Sequence, residues 1–225
     1  MNITTSAPAN AVPGIPVFTH GARILFQGDS ITDGGRGRNE DKNHILGHGY
    51  AFIIAARYGA AFPELDLTFL NRGCSGDVVE NLAERWQQDT IELKPDILSI
   101  LVGVNDNARQ VPLDTFAQAY GKLLADTVAA NVNVRLVLGE PFTLPVGNWQ
   151  DDWFTVMTQR QEIVACLAEK YHAALVRYQT IFDTACAKAE PAYWIHDGVH
   201  PTCAGHQLLA EEWVRVVREY WPASA

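Results

Sequence analysis

The stretch that decides the fold is RILFQGDSITDGG, residues 23–35. It opens with a short apolar run, Arg23–Gln27, and passes directly into a Gly-Asp-Ser turn that is followed by further glycines. A continuous apolar run of about five residues is typical of a strand buried on both faces of a parallel sheet. Four similar runs follow, at Leu67–Asn71, Ile97–Val102, Val134–Leu138 and Ala173–Arg177.

Longer amphipathic stretches separate these runs, and they predict helices. Asp114 is placed to cap one of them at its N-terminus. Five strands that are each followed by a helix predict a three-layer α/β/α sandwich around a five-stranded parallel sheet. The predicted helices are Tyr50–Tyr58, Val78–Asp89, Leu113–Ala130, Asp151–Tyr171 and Cys203–Trp221.

The domain organisation is simple. The chain carries no repeat, low-complexity segment, charge block or linker that would divide it, so we expect a single domain over residues 21–225. Residues 1–20 are rich in Ala, Pro, Thr and Asn and show no periodicity. We expect them to form an arm that is either flexible or held along the surface.

The charge balance excludes several kinds of partner. Seventeen Lys and Arg residues stand against 26 Asp and Glu residues, which gives a formal net charge of −9. Such a surface repels nucleic-acid phosphates and anionic lipid. We therefore expect neither nucleic-acid nor membrane binding, and we favour a small neutral or cationic molecule as the ligand.

The compartment is predicted from three further features. The longest nearly apolar run, Ile97–Val104, falls far short of the roughly 20 residues that span a bilayer. Residues 1–20 contain no Lys or Arg and no apolar core of a secretory signal. We expect a cytoplasmic protein with reduced thiols, because no CxxC pair occurs among the widely spaced cysteines Cys74, Cys166, Cys186 and Cys203.

The candidate functional residues follow the apolar runs, because ligands of open parallel sheets bind outside the carboxyl ends of the strands. The first run leads into GDSITDGG (28–35), the second into NRGCSG (71–76), the third into GVND (103–106) and the fourth into GEP (139–141). The loop before the last predicted helix reads WIHDGVHP (194–201).

These blocks contain what acyl transfer needs. A serine such as Ser30 is a weak nucleophile that requires a base, and Asp197 with His200 three residues later supplies an imidazole oriented by a carboxylate. The oxyanion that develops needs preorganised donors. The N–H groups of Ser30 and Gly73 and the side-chain amide of Asn105 are the predicted donors.

The four blocks together resemble the SGNH (or GDSL) hydrolases, a family named for Ser, Gly, Asn and His. Ser30 in GDSIT, Gly73 in NRGCSG, Asn105 in GVND and His200 in DGVHP occur in the family's order and spacing. The extended block GDSITDGGRGR is similar to that of intracellular carbohydrate acetylesterases of the acetylxylan esterase type. The resemblance implies a flavodoxin-like sheet, no metal or other cofactor, and removal of acetate from a sugar hydroxyl.

Alternative interpretations exist for several residues. His196 adjoins Asp197, but adjacent side chains point apart, which favours His200 as the base. Asp29 and Asp33 are expected to cap the backbone amides that follow them, since no His or Cys lies nearby to complete a metal site. We expect Asp106 to hold its turn, and Cys74 and Cys203 to be packing residues.

The aromatic residues fall into two groups. Trp149, Trp153, Tyr193 and Trp194 lie in or beside loops on the predicted catalytic side and are candidate sugar-binding residues. Trp86, Trp213 and Trp221 have helical spacing and are expected in the core or in a subunit interface. Arg36 and Arg38 are compatible either with a position facing the substrate or with one facing water.

The leading hypothesis is a serine esterase that removes acetyl groups from a small carbohydrate such as a xylo-oligosaccharide. A short-chain thioesterase or lysophospholipase of the same family is one alternative, although no apolar lid or amphipathic surface helix is evident. A non-catalytic carbohydrate-binding protein is another, and the intact Ser, Asp and His argue against it. The resemblance and the aromatic C-terminal end also predict a homo-oligomer.

Overall fold

The computed structural model describes residues 12–39, 41–147 and 152–222. Its centre is a sheet of five parallel strands in the order β2-β1-β3-β4-β5. The prediction of an α/β sandwich with a five-stranded parallel sheet is confirmed. The strands are β1 (Arg23–Gly28), β2 (Thr68–Asn71), β3 (Ile97–Leu101), β4 (Arg135–Gly139) and β5 (Ala174–Val176).

Helices cover both faces of this sheet, as a sheet buried on both sides requires. The helices in the described ranges are α1 (Ser30–Asp33), α2 (Tyr50–Ala61), α3 (Val79–Trp86), α4 (Val104–Ala108), α5 (Leu113–Ala130), α6 (Trp153–Lys170), α7 (Tyr178–Ala185), α8 (Pro191–Trp194) and α9 (Cys203–Tyr220). Helices α2, α7 and α9 share one core with Ile24 and Phe26, whereas α3, α5 and α6 pack around Leu25. Alternate residues of β1 therefore enter opposite cores.

The strand register brings the carboxyl ends of the strands to one edge. Gly28 pairs with Leu101, and Leu101 pairs with Gly139. Phe26 pairs with Asn71 at the end of β2. The chemically unusual loops therefore leave the sheet side by side, although they lie far apart in sequence.

The N-cap of one predicted helix and the end of another differ from the prediction. Asp114 is not an N-cap, because α5 begins one residue earlier and Pro112 occupies the cap position. The predicted helix over residues 78–89 is α-helical only to Trp86 and then widens into a π-helical turn, Gln87–Ile91. There the side chain of Gln27 donates to the Asp89 carbonyl at 2.8 Å, and this competes with the regular helical hydrogen bonds.

The described part of the predicted arm belongs to the core. Ile15, Val17 and Phe18 are buried, and the Phe18 ring packs edge-on against Tyr58 with ring centroids 5.3 Å apart. The Tyr58 hydroxyl donates to the Pro13 carbonyl at 3.3 Å. The packed core therefore extends to residues before position 21. The sequence did not indicate this, because the apolar side chains of this segment show no periodicity. Of the helices in the described ranges, none combines the length and the apolar character that a membrane span requires.

Candidate active site

Ser30 lies in the first turn after β1, where the chain leaves the sheet. Gly28 ends the strand with φ +154°, and a Cβ there would lie 2.1 Å from the Leu101 carbonyl oxygen. The Asp29 side chain then accepts a hydrogen bond from the Ile31 N–H at 3.0 Å, so it caps α1 as predicted. Ser30 is consequently held at the carboxyl edge, on the first residue of a short helix.

Ser30, His200 and Asp197 form a continuous chain of hydrogen bonds. The distance from Ser30 Oγ to His200 Nε2 is 2.7 Å, and that from His200 Nδ1 to Asp197 Oδ2 is 2.6 Å. Asp197 Oδ1 also accepts from the backbone N–H of His200 at 2.8 Å. One carboxylate thus holds both the ring and the backbone of His200.

The electrostatics of Asp197 determine which ring nitrogen carries the proton. Burial alone would raise the pKa of the Asp197 carboxyl, but the hydrogen bonds from His200 and from the Val199 N–H outweigh burial and lower it. The resulting carboxylate can only accept a hydrogen bond, so a neutral His200 carries its proton on Nδ1. His200 Nε2 is then the acceptor that faces Ser30.

The turn that carries Asp197 and His200 is closed at its base. Ile195 and Pro201 form an isolated antiparallel bridge, and the His196 N–H donates to the His200 carbonyl at 3.0 Å. The side chain of His196 is exposed. The structure therefore brings His200, the predicted base, to the serine.

A buried polar network that the sequence analysis missed supports the same turn. The Thr143 hydroxyl and the Leu144 N–H donate to the Gly198 carbonyl at 2.9 and 3.0 Å. The Gln179 side chain in turn accepts from the Thr143 N–H and donates to the Thr143 carbonyl, both at 3.0 Å. No motif marks these residues, and the only signal was a polar side chain among apolar ones.

Two of the three predicted oxyanion donors keep a hydrogen that the fold does not use. Ser30 is the first residue of α1, so its N–H has no partner within the helix. Asn105 lies in α4, and its Nδ2 donates to the Asp77 carbonyl at 3.0 Å. This bond orients the amide and uses one of its two hydrogens.

The prediction that the Gly73 N–H is the third oxyanion donor is wrong. This N–H donates to Asn71 Oδ1 at 2.9 Å, and a Cβ at this position would lie 2.3 Å from the Asp33 nitrogen. The buried Asn71 side chain also donates to the Thr32 carbonyl at 2.7 Å. Gly73 therefore allows the loop after β2 to pack closely against α1, and its N–H is used within the fold.

Gly76, in the same loop, is another candidate for the backbone donor. Its φ is +88°, and its carbonyl accepts from Arg109 Nη2 at 2.7 Å. It precedes Asp77, whose carbonyl orients Asn105. Within the described ranges the Gly76 N–H makes no hydrogen bond, so it is a candidate backbone donor that the sequence analysis missed. A second Gly in the NRGCSG block was the available signal.

Buried acids lie beneath the site. Burial, with further contributions from Asp106 and Asp77, raises the pKa of Asp29 to about 7. Asp106 Oδ1 accepts from the Val79 N–H at 3.1 Å, so Asp106 holds the start of α3 against α4. The prediction that Asp106 is a structural residue agrees with this contact.

Asp33 does more than cap the turn after α1. Its Oδ1 accepts from the Arg36 N–H at 3.1 Å, as predicted, whereas its Oδ2 accepts from the Ser75 N–H at 3.0 Å. Burial would raise the pKa of this carboxyl, but the hydrogen bonds from Arg38 and Ser75 lower it. Asp33 thereby joins the first loop to the Ser75–Gly76 segment.

His206 and the four cysteines are further candidates for reactive or metal-binding side chains. His206 is buried, and its Nδ1 accepts from the Tyr50 N–H at 3.2 Å. Burial lowers the pKa of His206 to about 4, which makes it a neutral structural residue. All four cysteines are free. Cys74 is partly buried, whereas Cys203 is exposed, so the prediction that Cys203 is a packing residue is wrong. No three His, Cys, Asp or Glu side chains of the described ranges are grouped so as to hold a metal ion.

The candidate sugar-binding aromatics have different environments. Trp149 lies outside the described residues. Trp153 lines a cavity of about 340 Å³ beside α4, together with Asn107. Tyr193 is exposed and packs edge-on against Trp194, which is partly buried against the core. Their contact with a substrate and the predicted homo-oligomer both stay predictions.

The tryptophans with helical spacing lie in or beside the hydrophobic core. Trp86 and Trp213 are buried in the two cores, and Trp213 Nε1 donates to Ser99 Oγ at 3.0 Å. Trp221 packs at the margin of the core beside Tyr220.

Comparison with known proteins now identifies the family. Residues 26–208 match the GDSL-like Lipase/Acylhydrolase family. The chain belongs to this family. It is therefore a serine esterase of the SGNH group, as the sequence motifs indicated. An acetylxylan esterase of Geobacillus stearothermophilus is 35% identical over 216 residues, which cover 91% of this chain and 97% of that protein.

Solved structures support the same assignment for this GDSL-family chain. The acetylxylan esterase of G. stearothermophilus aligns with a TM-score of 0.82 and 34% identity over 89% of this chain and 95% of its own. A GDSL-like protein from Parabacteroides merdae aligns with a TM-score of 0.86 and 36% identity over 91% and 99% of the two chains. Two solved variants of the G. stearothermophilus esterase, described as catalytic mutants, replace a serine and an aspartate with alanine.

Proposed function

We propose that the protein is a carbohydrate acetylesterase that removes acetyl groups from short, acylated sugars such as xylo-oligosaccharides. The observation that carries the proposal is the chain of hydrogen bonds from Ser30 Oγ through His200 to Asp197, at 2.7 and 2.6 Å. The relative named as an acetylxylan esterase supports the choice of an acetylated sugar. Other solved forms of that relative are described as an acetyl-xylooligosaccharide esterase.

The first half-reaction forms an acyl-enzyme. His200 Nε2 takes the proton of Ser30 as the serine oxygen bonds to the acetyl carbon, and Asp197 stabilises the imidazolium. Negative charge develops on the carbonyl oxygen, where the N–H groups of Ser30 and Gly76 and the amide of Asn105 can bind it. His200 then gives its proton to the sugar oxygen as the acetyl–sugar bond breaks.

The second half-reaction reverses these roles with water. His200 takes a proton from the water as its oxygen attacks the acetyl carbon of the acyl-enzyme, and the oxyanion returns to the same donors. The proton on His200 then returns to Ser30 Oγ as acetic acid leaves, and the acid ionises to acetate in water. No other group is required to balance the reaction.

The decisive experiment is to replace Ser30 with alanine. Ser30→Ala should retain the fold and lose at least about 10³-fold of the rate of acetate release from acetylated xylo-oligosaccharides. A serine-directed phosphonate should label the wild-type protein at Ser30. Ser75 is the matched control, because its hydroxyl donates to Asp33 at 2.8 Å and makes no hydrogen bond with a histidine of the described ranges. Ser75→Ala should still be labelled.

The acyl-chain dependence separates the alternatives. Rapid turnover of p-nitrophenyl acetate that collapses for long acyl chains supports the acetylesterase. Preference for the long chains favours a lipid ester, and a folded wild-type protein without turnover contradicts enzymatic function.

A further inference from the structure

A cleft beside the first loop is lined by three arginines. Arg36, Arg38 and Arg72 surround a space of about 280 Å³, together with Asp89. Arg36 and Arg38 come from the loop after α1, and Arg72 follows β2. The cleft therefore lies at the carboxyl edge of the sheet, where the family's reaction takes place.

Hydrogen bonds connect this arginine cleft directly to the nucleophile's helix. Arg38 donates to both oxygens of Asp33, at 3.1 and 2.7 Å. Asp33 is three residues after Ser30 on α1, a helical rise of about 4.5 Å. Arg36 Nε donates to the Gly73 carbonyl at 2.9 Å, in the loop that continues to Gly76. A molecule bound at Ser30 and extending past this loop would meet the guanidinium groups.

The carboxylates of the described residues do not balance these charges. Both carboxylate oxygens of Asp33 already accept hydrogen bonds, from Arg38 and from Ser75. Asp89 is 3.7 Å from Arg72 and also pairs with Arg85 at 3.2 Å. Beyond its Nε bond to Gly73, the side chain of Arg36 makes no hydrogen bond within the described ranges. Its terminal nitrogens are therefore free to bind a ligand.

The pKa of Arg36 reflects the same excess of positive charge. Burial, followed by the charges of Arg38 and Arg72, lowers the pKa of the Arg36 guanidinium. Clustering three cations in this way costs free energy that a bound anion would offset. The arrangement is unusual in a protein of net charge −9, and the overall charge made an anionic ligand unexpected from the sequence.

We propose that the arginine cleft is a substrate subsite for an anionic substituent, a carboxylate or a phosphate, on the acylated sugar. This subsite rests on the proposed function, because it places the anion on the molecule whose ester lies at Ser30. The planar, multiply donating guanidinium group is suited to such an anion. The loop arginines were expected to face either the substrate or water. In this proposal Arg36 faces the substrate, whereas Arg38 is held by its hydrogen bonds to Asp33.

The test compares pairs of acetyl esters that carry or lack an anionic group. Acetate release is measured from mono-O-acetyl glucuronate and mono-O-acetyl glucuronamide, and in a second arm from acetylated glucose 6-phosphate and acetylated glucose. In at least one arm the wild type should prefer the anionic ester by about tenfold or more in kcat/KM, as expected for one charge-assisted hydrogen bond. The arm that shows the preference identifies the anion as a carboxylate or a phosphate.

The variants assign the preference to the cleft. Arg36→Gln and Arg72→Gln should each reduce the charge preference at least threefold while hydrolysis of the neutral ester continues. Arg218→Gln is the matched control, because Arg218 is exposed near the far end of α9, and it should keep the wild-type preference. Equal rates for both members of both pairs, or a preference that survives both cleft variants, would overturn the subsite.

Two further measurements separate the remaining outcomes. Glu40 lies outside the described residues, and a charge preference that arises only in Glu40→Gln would show that Glu40 occupies the cleft and would overturn the proposal. Titration calorimetry with glucuronate and inorganic phosphate measures binding without turnover, and Arg36→Gln should weaken the binding. Failure of every acetyl ester to release acetate would instead contradict the proposed function.

Discussion

At the scale of single residues, the N–H groups around Ser30 divide into those that the fold uses and those left for a ligand. Gly73 N–H is bonded to Asn71, and Ile31 N–H is bonded to Asp29. The N–H groups of Ser30 and Gly76 and one hydrogen of the Asn105 amide remain. An oxyanion site is built from such unused donors, because a donor already bonded within the protein would first have to give up its partner.

Asn105 should act mainly in the transition state. Asn105→Ala should lower kcat by roughly 10² to 10³-fold with a smaller change in KM, because the amide binds charge that is absent from the ground state. Steady-state kinetics with p-nitrophenyl acetate measure both constants. An effect confined to KM would place Asn105 in substrate binding.

Gly73 should act through packing. Gly73→Ala should reduce the free energy of unfolding by on the order of 3 kcal/mol or more, because the new Cβ meets backbone atoms that cannot move aside. Those atoms are the Asp33 nitrogen and the Thr32 carbonyl carbon, at 2.3 and 2.8 Å. Urea unfolding measures the change. A variant of wild-type stability with a lower kcat would return Gly73 to the oxyanion site.

At the scale of elements, short helices that begin directly at strand ends present the donors, and a network between loops holds the base. The Asp197–His200 turn is bound through Gly198 to Thr143, and Thr143 is bound to Gln179 at the start of α7. Glu140, at the end of β4, anchors Gln179 by accepting from its N–H at 3.2 Å. The position of the base therefore depends on β4 and α7 as well as on its own turn.

Glu140 predicts a pH dependence of stability. Burial raises the pKa of Glu140 from 4.5 to about 7 and outweighs the Gln179 N–H and the charge of Arg177, which both lower it. Since the folded protein then binds the proton more tightly than the unfolded chain, stability contributed by this group falls as the pH rises through that interval. Glu140→Gln should remove this loss, so the variant should gain on the order of 2 kcal/mol relative to wild type between pH 5 and 8.

Urea unfolding at several pH values measures the Glu140 effect. Glu64→Gln is the control, because Glu64 is an exposed glutamate in the short 3₁₀ helix Pro63–Leu65, and it should show no such trend. A difference between Glu140→Gln and wild type that is constant with pH would contradict the prediction.

At the scale of the whole molecule, the segment before β1 is part of the stable domain. A chain that starts at residue 21 should lose on the order of 3–5 kcal/mol of unfolding free energy relative to one that starts at residue 12, because it no longer buries Ile15, Val17 and Phe18. Thermal and urea unfolding of the two chains make the comparison. Equal unfolding free energies would mean that residues 12–20 do not stabilise the domain.

The sequence by itself determined the architecture of this protein and identified the candidate reacting residues. Buried parallel strands must be apolar along their length, so the five runs were visible without a structure. Ser30, Asn105, Asp197 and His200 lie directly beside predicted strand ends or within one tight turn, where local spacing restricts their geometry. The family resemblance then agreed with chemistry that the residue types had already indicated.

Only the tertiary structure decided which polar groups are free. Gly73 and Gly76 are equivalent as letters in one block, and contact with α1 and Asn71 is what removes Gly73 from the site. Thr143, Gln179 and the arginine cleft likewise bring together segments that are distant in the chain. A hydrogen-bond donor is used once, and its partner is set by three-dimensional proximity, which residue spacing along the chain does not encode.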